Sequence, residues 1–183
     1  MDHADHVRLL QPAFRAAREI GVWADLGAGE GAFTLALAEL LPAGSTIHAI
    51  DRDAGALAEL DRRYVKLGRG RSLADLHALQ ADFTRDLGIG PLDGVVMANS
   101  LHFVKDKTSV LARVRGMLRS DAPLLLVEYD TDSGNTWVPY PLSFETWRAV
   151  AQENGFKEPR LLATHPSRFL RRIFSASALR DRS

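Results

Sequence analysis

Residues Gly21–Thr34 (GVWADLGAGEGAFT) constrain the fold more than any other stretch of the chain. Val22–Leu26 is a short, mostly apolar run without strict alternation, as expected for a parallel strand that helices cover on both faces. Apolar residues then recur at helical spacing from Phe33 to Leu40. Between the two segments lie three glycines at every second position, Gly27, Gly29 and Gly31. The stretch therefore predicts a strand, a glycine loop and a helix.

A glycine loop at a helix start predicts a binding site for a nucleotide-type ligand. Glycines let a ligand approach the backbone, and the unpaired amides of the first helical turn favour polar or anionic groups. Gly27, Gly29 and Ala32 also satisfy the looser GxGxx(G/A) fingerprint of dinucleotide-binding folds. The loop alone leaves a dinucleotide and another nucleotide-type cofactor both open.

Asp25 and Gly31 indicate which of these two kinds of cofactor the loop binds. Asp25 stands two residues before the first glycine, and Gly31 completes a GxGxG spacing, so the string is DLGAGEG. This string resembles the first motif of class I S-adenosylmethionine-dependent methyltransferases. The resemblance implies S-adenosylmethionine as cofactor and a doubly wound, mostly parallel seven-stranded α/β sheet with a C-terminal antiparallel hairpin. A nicotinamide-dependent oxidoreductase fits less well, because the chain has no YxxxK pair and no second substrate domain.

The remainder of the chain alternates between strand-like and helix-like segments, which predicts an α/β fold. We expect one domain over residues 1–183, because this length supports one substantial core and is short for two. Apolar spacing predicts an amphipathic N-terminal helix within residues 1–20, carried by Val7, Leu10, Phe14 and Ala17. Further strands are predicted at 46–50, 76–81, 92–98, 124–127, 160–164 and 173–178, and further helices at 54–67, 107–118 and 143–154.

The resemblance assigns polar residues at strand ends to successive parts of the cofactor. The methionine end would be bound by Asp25, Gly27, Gly29, Gly31 and the backbone of Asn99. The ribose would be bound by Asp51, with Arg52 beside it, and the adenine by Asp82 and Phe83. The spacing also supports Asp51, since an acid about twenty residues after a glycine loop accepts ribose hydroxyls in nucleotide-binding βαβ units. The alternative for Asp51 is a helix N-cap, a role that suits Asp53 better. A helix cap and a core ring are the alternatives for Asp82 and Phe83.

The string ANSLHFV follows the fourth predicted strand, where the active site of a doubly wound sheet is expected. It resembles the post-strand motif of small-molecule methyltransferases and differs from the (N/D)PPY motif of enzymes that methylate exocyclic amines of DNA bases. His102 is the candidate general base, followed by Glu128 and Tyr129, because all three should lie beyond strand ends. The alternative for His102 is a histidine that only hydrogen-bonds a loop.

Composition restricts the partners and the chemistry. Equal numbers of basic and acidic residues, 23 of each, argue against a broad electrostatic grip on nucleic acid or an anionic membrane. The chain has no cysteine, which excludes disulfides, thiolate metal ligands and cysteine nucleophiles, and we predict no metal site. No segment approaches the roughly 18 apolar residues of a membrane span, so a cytoplasmic protein is expected.

Together these features predict a methyltransferase that moves the methyl group of S-adenosylmethionine to an oxygen or nitrogen of a small molecule. The long loop 131–142 carries Trp137 and Tyr140, which are candidate walls of an acceptor pocket. The alternative from a different class is a non-catalytic, methyltransferase-like protein that holds the cofactor or a partner.

Overall fold

The computed structural model describes residues 1–14 and 19–182, and this part of the chain forms a seven-stranded sheet. The strands are β1 (Val22–Leu26), β2 (Thr46–Asp51), β3 (Asp75–Gln80), β4 (Gly94–Ala98), β5 (Pro123–Tyr129), β6 (Phe156–Ser167) and β7 (Arg171–Arg180). Their order across the sheet is β3-β2-β1-β4-β5-β7-β6. The predicted α/β fold, with a mostly parallel sheet and a C-terminal antiparallel hairpin, is confirmed.

Strand direction places the site at the carboxyl ends of the parallel strands. β1 to β5 run parallel to one another, whereas β7 runs antiparallel to both β5 and β6. β1 lies between β2 and β4, so successive crossovers proceed in opposite directions from it. Ligands of doubly wound sheets bind beyond the carboxyl ends of the strands at such a switch point. The glycine loop follows β1 at this position.

Five α-helices of the described residues cover the sheet. They are α1 (His3–Leu10), α2 (Ala32–Leu40), α3 (Ala54–Leu67), α4 (Lys107–Met117) and α5 (Phe144–Glu153). Asp53, Asp106 and Ser143 accept backbone N–H groups at the starts of α3, α4 and α5, which confirms the N-cap predicted for Asp53. None of the helices in the described residues combines the length and apolarity that a bilayer crossing requires.

Two apolar layers hold the helices on opposite faces of the sheet. One layer joins α4 and α5 to the sheet and includes the fully buried Trp147. The other joins α1 and α2 to the opposite face through Leu9, Phe33 and Leu37. Burying a large apolar side chain contributes about 1.5–3 kcal/mol, so α1 is anchored by its packing on the fold.

The N-terminal helix is shorter than predicted. The α-helix ends at Leu10, a 3₁₀ turn continues over Gln11–Phe14, and Glu19 and Ile20 are not helical. Pro12 explains the early end, because proline lacks the N–H of the helical ladder and its ring clashes with the preceding turn. Ala17, which the apolar spacing included in this helix, lies outside the described residues.

Candidate functional site

The glycine loop is hydrogen-bonded to the carboxyl end of β2. The N–H groups of Gly27 and Ala28 donate to the carbonyl oxygen of Ile50 at 2.8 and 3.0 Å. The N–H of Gly29 donates to Oδ2 of Asp51 at 2.8 Å, and Oδ1 of the same carboxylate accepts the N–H of Asp53 at 2.9 Å. Asp51 therefore fixes the loop as well as facing the site.

Gly27 and Gly31 are required for different reasons, although both have φ of 84°. A Cβ on Gly27 would lie 2.5 Å from Cβ of Ser100, whose hydroxyl donates to the Leu26 carbonyl at 2.7 Å. A Cβ on Gly31 would lie 2.2 Å from Cδ1 of the fully buried Leu60 in α3. Gly31 lies outside the cavities described below, and its N–H donates to the Ala28 carbonyl at 2.9 Å. Of the three predicted glycines, Gly31 is therefore the one that allows the loop to pack closely against α3.

A first cavity, of about 390 Å³, runs from the glycine loop toward β3. It brings together seven predicted cofactor residues, Gly27, Gly29, Asp51, Arg52, Asp82, Phe83 and Asn99. Phe103 also lines this cavity and is 60% exposed, a large apolar ring open to a ligand. The site residues predicted for the ribose and adenine parts therefore share one surface.

Asp82 is held by its own loop. Its Oδ1 accepts the N–H and the hydroxyl of Thr84 at 2.9 and 2.7 Å, and the hydroxyl hydrogen bond is the main reason why the pKa of Asp82 is lowered. No helix starts at this position in the described residues, so the helix-cap alternative fails. Phe83 is partly buried and packs against the core layer of α4 and α5. The carboxylate is consequently fixed, ionised and open to the cavity.

A second cavity, of about 310 Å³, lies on the α1 side of the glycine loop and shares Gly27, Gly29 and Asn99 with the first. Asp25 is almost completely buried there, and its Oδ2 accepts the Thr34 hydroxyl at 2.6 Å. Burial raises the pKa of Asp25 to about 6. Among the described residues, Oδ1 of Asp25 has no hydrogen-bond partner, and neither has Oδ1 of Asn99, which adopts φ of 52°. Two residues that line this cavity therefore carry a buried acceptor without a donor from the described part of the chain, which is costly unless a ligand supplies one.

The lining of the second cavity also includes donors that the sequence motifs did not reveal. His6 of α1 and Arg63 of α3 both line it. Nη1 of Arg63 donates to the Glu30 carbonyl at 2.8 Å, which directs its guanidinium across the loop. The His6 ring lies 4.8 Å from the Phe33 ring, and burial lowers the pKa of His6. Neither residue belongs to a recognisable sequence motif. Each lies on a helix face that only tertiary packing places next to the glycine loop.

Of the three predicted catalytic residues, His102 lies beyond β4 as expected, whereas Glu128 and Tyr129 are the last two residues of β5 itself, and their surroundings differ. His102 and Glu128 are 3% and 0% exposed, and Nδ1 of His102 lies 2.7 Å from Oε2 of Glu128. Oε1 of Glu128 accepts the backbone N–H of His102 at 3.1 Å. Both carboxylate oxygens are thus engaged, and neither residue lines a cavity described here. The predicted catalytic roles stay predictions, and the geometry favours a positioning role for this pair.

Tyr129 lines a third cavity, of about 470 Å³, beyond the end of β5. Burial, and secondly the nearby Glu128 carboxylate, raise the pKa of Tyr129, so its hydroxyl stays protonated at neutral pH and is a donor rather than a base. Trp137 and Tyr140, the predicted walls of an acceptor pocket, are 75% and 42% exposed and line none of the three cavities. The N–H of Tyr140 instead donates to the His102 carbonyl at 2.9 Å.

Sequence comparison supports one family. A family model described as "Methyltransferase domain" matches residues 24–124, which is more than half of the chain. The match contains the glycine loop, Asp51, Asp82 and Asn99. No curated protein matches the chain significantly.

Solved structures show the same fold at low sequence identity. The magnesium protoporphyrin IX methyltransferase from Synechocystis PCC 6803 with bound SAM has a TM-score of 0.70 and 15% identity, covering 98% of this chain and 78% of that one. The YcgJ protein from Bacillus subtilis has a TM-score of 0.74 and 12% identity, covering 98% and 100%. An arsenic(III) S-adenosylmethionine methyltransferase from Chlamydomonas reinhardtii has 0.73 and 17%, covering 91% and 65%. These likenesses establish the fold and leave the acceptor open, because the two methyltransferases among them are named for different acceptors.

Proposed function

The chain belongs to the methyltransferase-domain family, and on this premise we propose that it moves the methyl group of S-adenosylmethionine to an oxygen or nitrogen of a small-molecule acceptor. S-adenosylmethionine is the cofactor, and residues 1–183 act as one domain. A cytoplasmic location and an acceptor other than nucleic acid belong to the same proposal, which the balanced charge supports.

The second cavity carries this proposal. Its buried acceptors, Oδ1 of Asp25 and Oδ1 of Asn99, require a donor, and an α-ammonium group supplies up to three N–H bonds. His6 and Arg63, which line the same cavity, offer donors to a carboxylate. A zwitterionic amino-acid group pairs with both the acceptors and the donors, and S-adenosylmethionine ends in such a group.

The first cavity suits the adenosine part of the same molecule. Because the two cavities share Gly27, Gly29 and Asn99, a single elongated ligand can occupy both. We assign the ribose hydroxyls to Asp51, with Arg52 at the rim, and the adenine ring to Phe83 and its exocyclic amine to Asp82. Each assignment pairs donors of the ligand with an acceptor that faces the cavity.

Catalysis in this site relies on alignment. When bound, S-adenosylmethionine supplies a methyl group on a positively charged sulfur, which leaves as a neutral thioether when the acceptor takes the methyl and gives up a proton. The chain holds the acceptor in line, and such positioning supplies on the order of 7 kcal/mol or more. Glu128 holds His102, and the pair fixes the turn Asn99–Phe103, whose ends line the cofactor cavities. We therefore propose His102 as a positioning residue.

Truncated ligands test the assignment of the two cavities. In calorimetric titrations, we expect S-adenosylhomocysteine to bind and NAD to bind much more weakly. Arg63→Gln should weaken S-adenosylhomocysteine by about tenfold, since a charge-assisted hydrogen bond contributes about 1.5–3 kcal/mol. The variant should leave 5′-methylthioadenosine unchanged, because this ligand lacks the amino-acid group.

Arg62→Gln is the matched control, since Arg62 is the neighbouring arginine of α3 and pairs with Glu59 outside the cavities. Equal losses for both ligands in Arg63→Gln would reject the zwitterion assignment. Binding of NAD without binding of S-adenosylhomocysteine would reject the proposed function.

A further inference from the structure

The third cavity lies at the tip of the β6–β7 hairpin and shares no lining residue with the two cavities proposed for the cofactor. Its walls include Tyr129 at the end of β5, and His165, Ser167, Arg168 and Phe169 at the hairpin tip. Because β5 is antiparallel to β7, this tip lies beyond the same carboxyl edge of the sheet as the glycine loop. The third cavity therefore opens on the functional edge of the fold.

Backbone pairing places Tyr129 of the third cavity near Asn99 of the cofactor cavities. The N–H of Asn99, which lines both cofactor cavities, donates to the Val127 carbonyl at 2.8 Å. Tyr129 is two residues further along β5, a rise of about 7 Å. Tyr129 packs against the core layer of α1 and α2, and the Asp25 carboxylate bonds to Thr34 of α2, so both face the same side of the sheet.

Two aromatic rings form a corner in this cavity. The Tyr129 and Phe169 ring centroids are 5.7 Å apart, with an interplanar angle of 70°. Phe169 is nevertheless 51% exposed, so one side of a large apolar ring has no partner within the described residues. An edge-to-face corner with an open ring face accommodates a further planar ring at ordinary stacking distances.

The polar groups of the third cavity favour an anion. No carboxylate among the described residues lines it, whereas Arg168 and His165 do. Arg172, on the same hairpin, is paired with Asp130, but no acidic side chain of the described chain lies within ion-pair distance of Arg168. His165 is 3.7 Å from Asp5, which also pairs with Arg8, so Arg168 is the cationic side chain of this lining that has no acidic side chain of the described residues within ion-pair distance. The protonated hydroxyl of Tyr129 adds a neutral donor.

We propose that the third cavity is the acceptor site and that it selects a planar aromatic acceptor bearing a carboxylate, which Arg168 binds while Tyr129 and Phe169 enclose the ring. The inference rests on the proposed function and specifies its substrate class. Arginine binds carboxylates in a bidentate geometry that a neutral amide does not reproduce. Selection should therefore depend on charge at this one side chain.

Matched aromatic acids and amides test the inference. The probes are 4-hydroxybenzoate and 4-aminobenzoate, each compared with its neutral amide, titrated into protein saturated with S-adenosylhomocysteine. We expect each acid to bind at least about tenfold more tightly than its amide, as one charged hydrogen-bonded pair allows. Arg168→Gln should abolish the preference. Arg171→Gln, which removes a charge from the same hairpin outside the cavity, should keep it.

The inference is overturned if no acid binds, if acid and amide bind equally to the wild-type protein, or if the preference survives in Arg168→Gln. Binding of S-adenosylhomocysteine, measured in the same titrations, separates the two proposals. If it binds and the acids do not, the acceptor class is wrong and the proposed function stands. If it does not bind, the proposed function itself fails.

Discussion

Nδ1 of His102 lies 2.7 Å from Oε2 of Glu128, and the two side chains are almost entirely buried where β4 and β5 end. The second carboxylate oxygen accepts the backbone N–H of His102 at 3.1 Å. One buried carboxylate thus ties the turn after β4 to the neighbouring strand β5, and this turn carries Asn99 and Phe103 into the first cavity.

Removing the His102 imidazole should lower the stability of the protein more than it lowers the rate of methyl transfer. In His102→Ala, the Glu128 carboxylate keeps only a backbone donor, so we expect the free energy of unfolding to fall by about 3 kcal/mol or more. Urea unfolding followed by circular dichroism measures this. Glu128→Gln keeps the shape and can still hydrogen-bond the ring, so it should lose less. His77→Ala on the exposed strand β3 is the control, with an expected change within about 0.5 kcal/mol. A loss below about 1 kcal/mol in His102→Ala would contradict the positioning role.

Alanine substitutions separate the packing glycine from a ligand-facing one. Gly31→Ala should lose about 2–4 kcal/mol, because left-handed strain adds to overlap with the buried Leu60. Gly70→Ala, at φ of 72° with no atom within 4 Å of the added Cβ, should lose only the strain, about 1 kcal/mol. Thermal or urea unfolding gives both values. Gly29→Ala has equally open space but lines both cofactor cavities, so it should mainly weaken S-adenosylhomocysteine. Equal losses of stability for Gly31→Ala and Gly70→Ala would show that the Leu60 side chain moves aside without lowering stability.

Asp25 makes the stability of the unliganded protein depend on pH. Its pKa is about 6 in the fold against an ordinary 3.8, so the folded state holds the proton more tightly than the unfolded state. Its contribution to stability is therefore greatest below about pH 4 and falls by about 3 kcal/mol as the pH rises to about 6. Asp25→Asn does not titrate, so the difference between wild type and variant in urea unfolding should show this change.

An ammonium group beside Asp25 favours the ionised carboxylate, so S-adenosylhomocysteine should bind wild type more tightly as the pH rises through about 6. Calorimetry at several pH values measures this affinity. The affinity of Asp25→Asn should be lower and nearly flat over the same range. A wild-type affinity that does not change with pH would contradict this assignment.

Local patterns were enough to predict most of the fold. The glycine loop, the apolar strands β1, β4 and β5 and the Asp53 helix cap each depend on neighbouring residues, and each is confirmed. The hairpin was predicted shorter than it is. β6 spans 12 residues, and its pairing with β7 shifts register between Lys157 and Arg160 and between Leu161 and Ala163, so alternation is interrupted. A pattern of period two cannot continue through such shifts.

The site could be predicted only where its residues follow strands. Asp25, Asp51, Asp82 and Asn99 stand at strand ends and lie together, as parallel strands require. His6 and Arg63 come from helix faces, and Arg168 and Phe169 from a hairpin tip, so only tertiary packing reveals them. The burial of His102 against Glu128 depends equally on contacts 26 residues apart.

The position of β7 between β5 and β6 sets the order in which the sheet can be completed during synthesis. The ribosome releases β6 before β7, yet β6 reaches the sheet only by pairing with β7. Until then, the nascent sheet ends at β5 with an open strand edge, which is a site for wrong pairing. β6 can join the sheet only together with β7 or after it, so the cavity at the hairpin tip forms only in that last step.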